Sequence, residues 1–298
     1  MSQTETIQPR ALTGAQVGIP PRHIDFQFPQ AAQRYAFYDN NPLASLLFVV
    51  FSGIFPPGER FFMASVRHFR DQITDPVLKA QVSGFMGQEA LHGREHERLN
   101  ELFRAHGLAV DIPTRYVSFG LRQLARFTSP RMQLACTTMM EHFTAHLAEQ
   151  WLTDKALSAT SDPEMLKLWY WHALEELEHK TVAYDVFDLI GGTQQERKRA
   201  GWLVGIFVML PVAASWLHLL IKEGQLFNRK ENRRGFKALF GRGALISKVL
   251  RHMPAFWRRK FHPSQQKTLA LEQAWRARLF GPEGELLAVY RNPAKTPA

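Results

Sequence analysis

Two copies of Glu-x-x-His, Glu89–His92 and Glu176–His179, lie in long stretches where apolar residues recur at helical spacing. On a helix, residues three or four apart share a face, so each motif aims a carboxylate and an imidazole the same way. In Trp171-His172-Ala173-Leu174-Glu175-Glu176-Leu177-Glu178-His179, His172 adds a second imidazole one turn before Glu176. Such a stripe can bind a metal but leaves its coordination incomplete. Other helices must supply the rest.

The chain's punctuation predicts those helices. Pro42 to Phe55 is an apolar run, too short for a bilayer span and read as a buried helix. Pro56-Pro57-Gly58 then breaks it, and a new helix is expected from Glu59 to about Gln72. Asp75-Pro76 opens the next, which ends near Gly107, and a shorter amphipathic helix covers 114–128. Ser129-Pro130 opens a long helix to about Ala156. Ser161-Asp162-Pro163 caps the one that carries His172, Glu176 and His179, and Gly191-Gly192 stops it. Residues 1–20 are polar, lack the charged-then-apolar pattern of a signal peptide and are expected to be loose; 22–42 read as irregular. No segment shows strand periodicity, and no repeat is present.

One Glu from each of two helices, plus Glu-x-x-His from each of two others, is the ligand set of a four-helix-bundle dimetal carboxylate site. Here the first helix offers Glu59, the second Glu89 and His92, the third Glu141, and the fourth Glu176 and His179 with His172 one turn earlier. Among twelve histidines a single Glu-x-x-His is expected by chance. Two on alternate helices, with a lone Glu on each of the others, are not. Depth is an independent check: each carboxylate lies roughly 17–22 Å along its helix from the connection shared with its neighbour, at about 1.5 Å per residue. In an antiparallel bundle they meet at one level, with 114–128 as the long crossover. The fold class is therefore all-α: a ferritin-like four-helix bundle with a dimetal centre plus additional C-terminal helices. Its divisions are a loose N-terminal arm (1–42), the bundle (43–192), and a hydrophobic helix with a basic helical region packed on the bundle (193–298).

Carboxylates bridge two hard cations and neutralise their charge, and imidazole suits iron better than magnesium or calcium. Two metal ions are expected, iron first, manganese second and zinc last. His96, one turn beyond His92, and His142 and His146, which bracket the Glu141 turn, are placed to support the ligands, although each also has a plain surface reading. Asp185, six residues after His179, could accept an imidazole N–H. Glu175 and Glu178 point roughly 100° away from Glu176 and read as solvated or supporting. Glu59 is the least constrained ligand, because a glutamate in a first helical turn also complements the helix dipole.

A single cysteine, Cys136, excludes a disulfide framework and fits a reducing compartment such as the cytoplasm. The net charge of +10 gathers after about residue 195, in Arg197-Lys198-Arg199, Arg229-Lys230, Arg233-Arg234 and Arg258-Arg259-Lys260. No nucleic-acid module accompanies it, so nucleic acid is not expected, and an anionic membrane surface is the partner it suggests. Ala200 to Ile221 is apolar over the length of a bilayer span, with Trp202 and Trp216 near its interfaces. A buried helix is the competing reading, and contact with a membrane surface ranks above a span. Pro263 is expected to open a last long helix.

Gln88-Glu89-Ala90-Leu91-His92, Glu141-His142-Phe143-Thr144-Ala145 and Trp171 to Lys180 resemble a bacterial family labelled predicted metal-dependent hydrolases, and the resemblance covers most of the chain. It implies a metal-dependent enzyme. In ligand spacing alone, the set is also similar to the di-iron arylamine N-oxygenases of the p-aminobenzoate N-oxygenase type. These carry one more histidine four residues before the Glu of the last Glu-x-x-His, here His172. That second resemblance implies that Glu59, Glu89, His92, Glu141, His172, Glu176 and His179 all ligate a di-iron centre that activates O2.

Three functions compete. Foremost is O2-activating oxidation of an organic substrate, with the redox step carried by the metals inside an apolar bundle. The alternative is a dimetal-dependent hydrolase acting through a metal-bound hydroxide, without support from a Ser/His/Asp elbow or a phosphate-cradling loop. The third is metal storage, against which the long region beyond the bundle argues. The expected substrate is small and apolar or aromatic, and a homodimer is compatible with the sequence.

Overall fold

The computed structural model describes residues 11–28, 35 and 40–291. Residues 1–10, half of the stretch expected to be loose, lie outside that range. The helices are α1 (Pro42–Arg67), α2 (Pro76–Ala105), α3 (Asp111–Phe127), α4 (Pro130–Thr153), α5 (Lys155–Thr160), α6 (Pro163–His179) and α7 (Val182–Leu189). They are followed by α8 (Gln194–Val204), a π-helical segment Gly205–Met209, α9 (Leu210–Lys222), α10 (Arg229–Phe240), α11 (Leu245–His252) and α12 (Leu269–Phe280). Among the described residues there is no strand beyond one antiparallel bridge, Ile24 with Tyr290. The fold is all-α.

The four helices that carry the candidate ligands, α1, α2, α4 and α6, begin with one device. Asn41, Asp75, Ser129 and Asp162 each accept first-turn N–H groups on a side-chain oxygen, and each is followed by proline. The cap satisfies a donor left over at the helix start, and proline lacks the N–H that would otherwise be orphaned there. α1 pairs with α2 and α4 with α6, while α3 crosses between the two hairpins against α1 and α9.

Pro56 and Pro57 do not break α1; the helix runs through both. Each proline removes one N–H→C=O bond, freeing the carbonyls of Ser52 and Gly53. Both find donors on neighbouring helices: Asn100 Nδ2 donates to the Ser52 carbonyl at 3.1 Å, and Thr114 Oγ1 to that of Gly53 at 2.7 Å. Glu59 therefore lies in mid-helix, not in a first turn. α6, conversely, stops earlier than expected. Lys180 Nζ takes the Leu177 carbonyl at 3.2 Å and also reaches Thr268 and Glu272, and the chain resumes as α7.

Apolar packing leaves a polar layer across the bundle. One core cluster holds Leu43–Phe55 of α1, Leu99–Phe103 of α2, Ala145–Leu152 of α4 and the apolar residues Met165–Leu177 of α6. Phe48, Trp151 and Trp169 are its centre, with Trp151 and Trp169 rings 4.8 Å apart. A second cluster holds Phe62–Phe69, Leu78–Phe85, Leu134–Met140 and Val182–Phe187. Glu59, Glu89/His92, Glu141 and His179 fall between the two clusters on their helical paths, and Glu176 lies at the edge of the first, beside Leu177.

Residues 11–28 are irregular apart from one 3-10 turn at Ala15–Val17, and several side chains are buried, Ile19, Arg22, Ile24 and Phe26 among them. Gly84 and Gly87 on α2 let the segment approach, since a Cβ at either would collide with Ile19 or Pro21. The arm around Ile19–Pro21 is thus packed against α2, while Arg22 reaches α6 and Ile24 pairs with Tyr290. Pro263 opens only a short 3-10 turn, and the last helix starts at Leu269. Gln266 is drawn to α4, where its amide donates to the Ala145 carbonyl and to Glu149.

Candidate metal centre

All seven residues singled out by spacing converge in the polar layer, and each is buried. Glu176 Oε1 is central: it lies 3.0 Å from His172 Nε2, 3.6 Å from His179 Nε2 and 3.7 Å from His92 Nδ1. His179 Nε2 is 3.2 Å from Glu89 and 3.7 Å from Glu141, and His172 Nε2 is 4.0 Å from Glu59. Two groups with no shared member, Glu59/His92/His172 and Glu89/Glu141/His179, could each hold a metal ion, and Glu89, His92 and Glu176 form a third that joins them. Gly93 makes room for Glu59, whose Oε2 would lie 2.8 Å from a Cβ at that position.

Both oxygens of Glu59, Glu89 and Glu141, together with Glu176 Oε2, His92 Nδ1 and His179 Nε2, are buried without a hydrogen-bond partner. A buried polar atom left unsatisfied costs about 1–3 kcal/mol, more when charged. So many in one place fit a cation cluster that is bound there. Four carboxylates balance two divalent cations in charge, and the N/O donor set suits iron, manganese or zinc more than a purely hard ion.

The outer edge of each imidazole is anchored, as metal-binding histidines require. His92 Nε2–H donates to Glu175 at 3.1 Å, and His179 Nδ1–H to Gln88 Oε1 at 2.9 Å. His172 Nδ1 lies 2.8 Å from His96 Nε2, and His96 Nδ1 lies 3.0 Å from Ser52 Oγ. The tautomers follow from the end of this chain. Asn100 Nδ2 is committed to the Ser52 carbonyl, so its Oδ1 accepts from the Ser52 hydroxyl at 2.7 Å. Ser52 Oγ must then accept from His96 Nδ1–H, and His96 Nε2 from His172 Nδ1–H. Burial, with His172 beside it, holds His96 well below its ordinary pKa and hence neutral. His172 Nε2 is left facing the carboxylates.

Burial and mutual repulsion raise Glu59 and Glu141 well above the usual carboxylate range, and burial lifts Glu89 to about 7 against the pull of His179. Burial also opposes ionisation of Glu176, but His179 and His172 outweigh it and hold that carboxyl low. Glu176, Glu89 and Glu141 in turn raise His179 well above its ordinary value against the effect of burial. Without a cation the cluster keeps protons in their place.

The supporting shell differs from the sequence expectation. Glu175 and Glu178 are buried around Arg22, which donates to Glu175 at 2.9 Å and to both oxygens of Glu178 at 2.8 Å. Gln88 links this ion pair to His179, donating to Glu178 at 3.0 Å and to the Pro20 carbonyl. Arg22, Gln88, Ser52 and Asn100 carried no signal of their own. The demand of two buried glutamates for a countercharge was the available clue to Arg22. Asp185 does not serve His179; it accepts from His262 Nε2 at 2.9 Å. His142 and His146 turn the other way, against the C-terminal region, where His142 donates to the His252 carbonyl and His146 stacks on the His252 ring. Positions one and five after Glu141 lie over 90° round the helix from it. Among these four, His96 alone supports a candidate ligand.

A family model described as predicted metal-dependent hydrolase matches residues 20–267. The chain belongs to this family. No curated protein and no solved structure matches it. The match runs from the segment bearing Arg22 through all seven buried Glu and His residues, and for a member of the family those residues are the candidate metal ligands.

Proposed function

We propose that this metal-dependent enzyme uses a dinuclear, iron-containing centre held by Glu59, Glu89, His92, Glu141, His172, Glu176 and His179 to oxidise an apolar organic substrate with O2. The observation that carries it is the cluster of unpartnered carboxylate oxygens and imidazole nitrogens sealed in the polar layer. When bound, two such metals supply the redox equivalents for O2 chemistry. The chain's own residues orient and insulate. His96, Glu175 and Gln88 fix the three imidazoles, Arg22 neutralises the glutamates behind them, and Phe55, Phe85 and Trp171 pack on the rings of His172, His179 and His92.

Oxidation is favoured over hydrolysis by what lies beside the centre. An apolar cavity is lined by Gly58 and Met140, the residues before Glu59 and Glu141, and by Phe55, which packs on His172; its one hydroxyl, that of Thr144, is donated to the Glu141 carbonyl. Apart from the indole N–H of Trp257, which also lines a neighbouring surface depression, no lining side chain offers a free donor to a developing oxyanion, which hydrolysis of an ester or phosphoester would use. A smaller cleft of about 190 Å³ is lined by Glu59 and Glu89 together with Arg60, Gly93, Arg94 and Glu97, and suits entry of ions and water. An anionic membrane surface is the proposed setting. Supporting it, Trp202, Ile206, Leu210, Leu217 and Ile221 form one exposed stripe along α8 and α9, with Lys198 and Lys222 near its ends.

The test is metal content, followed by anaerobic Fe(II) loading and exposure to O2. Two irons per chain that oxidise on mixing, and loss of both in Glu176→Ala and His179→Ala, are expected. Zinc as purified, or iron indifferent to O2 together with turnover of ester substrates, would replace oxidation by the hydrolysis that the family description names. Full metal retention in both variants would remove the centre itself.

A further inference from the structure

The cavity beside the centre has an inner and an outer end. Its volume is about 270 Å³, and α1, α3, α4, α8, the π-helical segment and α11 enclose it, with Phe51, Phe62, Leu121, Met140, Val204 and Val208 in its wall. Inside, Gly58 and Met140 directly precede Glu59 and Glu141 in sequence, and the lining residue Phe55 places its ring 4.7 Å from that of His172. Outside, Gly201, Gly205 and Trp257 also line a surface depression that carries Lys198 and Trp202. The apolar space therefore runs from the depression beside an exposed lysine to Phe55, whose ring packs on His172 of the cluster.

The π-helical segment forms part of this wall. Pro211 cannot donate to the Phe207 carbonyl, and Gly120 on α3 meets that carbonyl so closely that a Cβ would overlap it. The widened turn leaves Gly205 with open space where its side chain would be. π-bulges recur at functional sites because they re-aim the residues of one turn. Four methionines, Met139, Met140, Met209 and Met253, give the lining an adaptable surface. Lys198 is the charged residue at the mouth, and the nearby acid on α8, Glu196, is held by Arg131 at 2.6 Å.

We propose that this cavity takes the alkyl chain of an anionic amphiphile, a long-chain carboxylate, with the head group at Lys198 and the chain directed toward Glu59 and Glu141. As a substrate assignment it rests on the reading of the buried cluster as the catalytic centre; as a binding site it stands on the cavity alone. The space holds about nine methylene-sized groups at roughly 30 Å³ each. That length would leave the head at the surface and bring the far end of the chain to the metal side.

The experiment is calorimetric titration of the metal-loaded protein with hexanoate, octanoate, decanoate and dodecanoate, each below its micelle concentration. Affinity is expected to rise about three- to fourfold per methylene until the cavity is full. Gly205→Phe, which projects a ring into the mouth from a helical position with room for its Cβ, should weaken dodecanoate at least about tenfold at unchanged metal content. Lys198→Glu should weaken dodecanoate severalfold and leave dodecanol unaffected. A second arm offers the same acid in phosphatidylglycerol vesicles: faster loading than from solution makes a membrane the source, and loading only from solution makes it the free acid. Absence of chain-length dependence, or wild-type affinity in Gly205→Phe, overturns the proposal. Repeating the titration without metal separates the two readings, because chain binding by a protein that never holds metal would sink the catalytic centre and spare this site.

Discussion

Among the described residues, two helical stretches are long and apolar enough to cross a membrane by length and composition, and the fold treats them oppositely. Pro42–Gln72 has a mean hydropathy of 1.3 and is 89% buried over its most apolar window, whereas Gln194–Lys222 reaches 2.1 and is 28% buried. The less hydropathic stretch is the core. What decides is pattern: α1 is apolar on every side through Phe55 and then introduces Glu59 among its neighbours, so it suits the middle of a bundle. The α8–α9 path turns Ala200, Val204, Val208, Ser215 and Leu219 inward and keeps an apolar stripe outside. An apolar face left in water marks a surface with a task.

The largest effect that can break this contrast is a charge in each stretch. Phe48 is fully buried and packs on Trp169 with ring centres 5.2 Å apart. Phe48→Asp should cost on the order of 5 kcal/mol or more and leave the protein insoluble or unfolded. Ile206→Asp, at a residue 53% exposed, should move stability by no more than about 0.5 kcal/mol. Circular dichroism melts of both decide it, and comparable losses would mean that Ile206 is covered in solution.

The next effect is that of pH on the metal-free protein. Glu59, Glu141 and His179 have pKa values raised well above their ordinary ones, and Glu89 is at about 7. Above pH 6.5 the unfolded chain has released these protons while the folded chain still binds them, so stability falls as pH rises. The depressed histidines, His92 and His96, act with the opposite sign only below 6.5, where their unfolded forms are charged. The Tm of the metal-free protein should therefore drop between pH 6.5 and 8, and metal addition should cancel the drop with proton release measurable in weak buffer. A flat metal-free profile would argue that the carboxylates are solvated.

Sequence periodicity located the seven Glu and His residues because all of them obey one helical stripe per helix and one depth across the bundle. Helix starts were legible for the same local reason, a capping side chain followed by proline. The failures have tertiary causes. Pro56-Pro57 reads as a break until Asn100 and Thr114 are known to satisfy the freed carbonyls, and α6 reads as continuous until Lys180 reaches Thr268 and Glu272. Arg22 lies in an irregular segment without period, so nothing local ties it to Glu175 and Glu178. Asp185 was a fit acceptor for the His179 N–H by chemistry, but beyond the break after His179 it pairs with His262, and Gln88, which carried no signal, accepts in its place.

A smaller effect probes how the buried stretch tolerates its prolines. Asn100→Ala leaves the Ser52 carbonyl without a donor and removes the end of the His172–His96–Ser52 chain, for an expected loss of about 1–3 kcal/mol and roughly tenfold in metal affinity. Pro56→Ala returns an N–H to that carbonyl. In a double-mutant cycle, Asn100→Ala should cost less in the Pro56→Ala background than in the wild type, while the metal effect persists. Additive stability losses would show that the carbonyl is satisfied by other means.

The smallest stability effect is expected on the exposed stretch, where the functional consequence should be the reverse. Replacing Trp202, Ile206 and Leu210 together by Ser removes apolar surface that water already covers in the folded chain, so Tm should hold within about 2 °C, corresponding to no more than about 0.5 kcal/mol. If the stripe meets a membrane, the same variant should lose co-flotation with phosphatidylglycerol vesicles, and the wild type should lose it in high salt as the basic flanks are screened. Wild-type protein that ignores anionic vesicles would remove the membrane from the account. Flotation that survives the triple replacement would move the contact to the basic C-terminal helices, and α8–α9 would then act as the wall of the cavity alone.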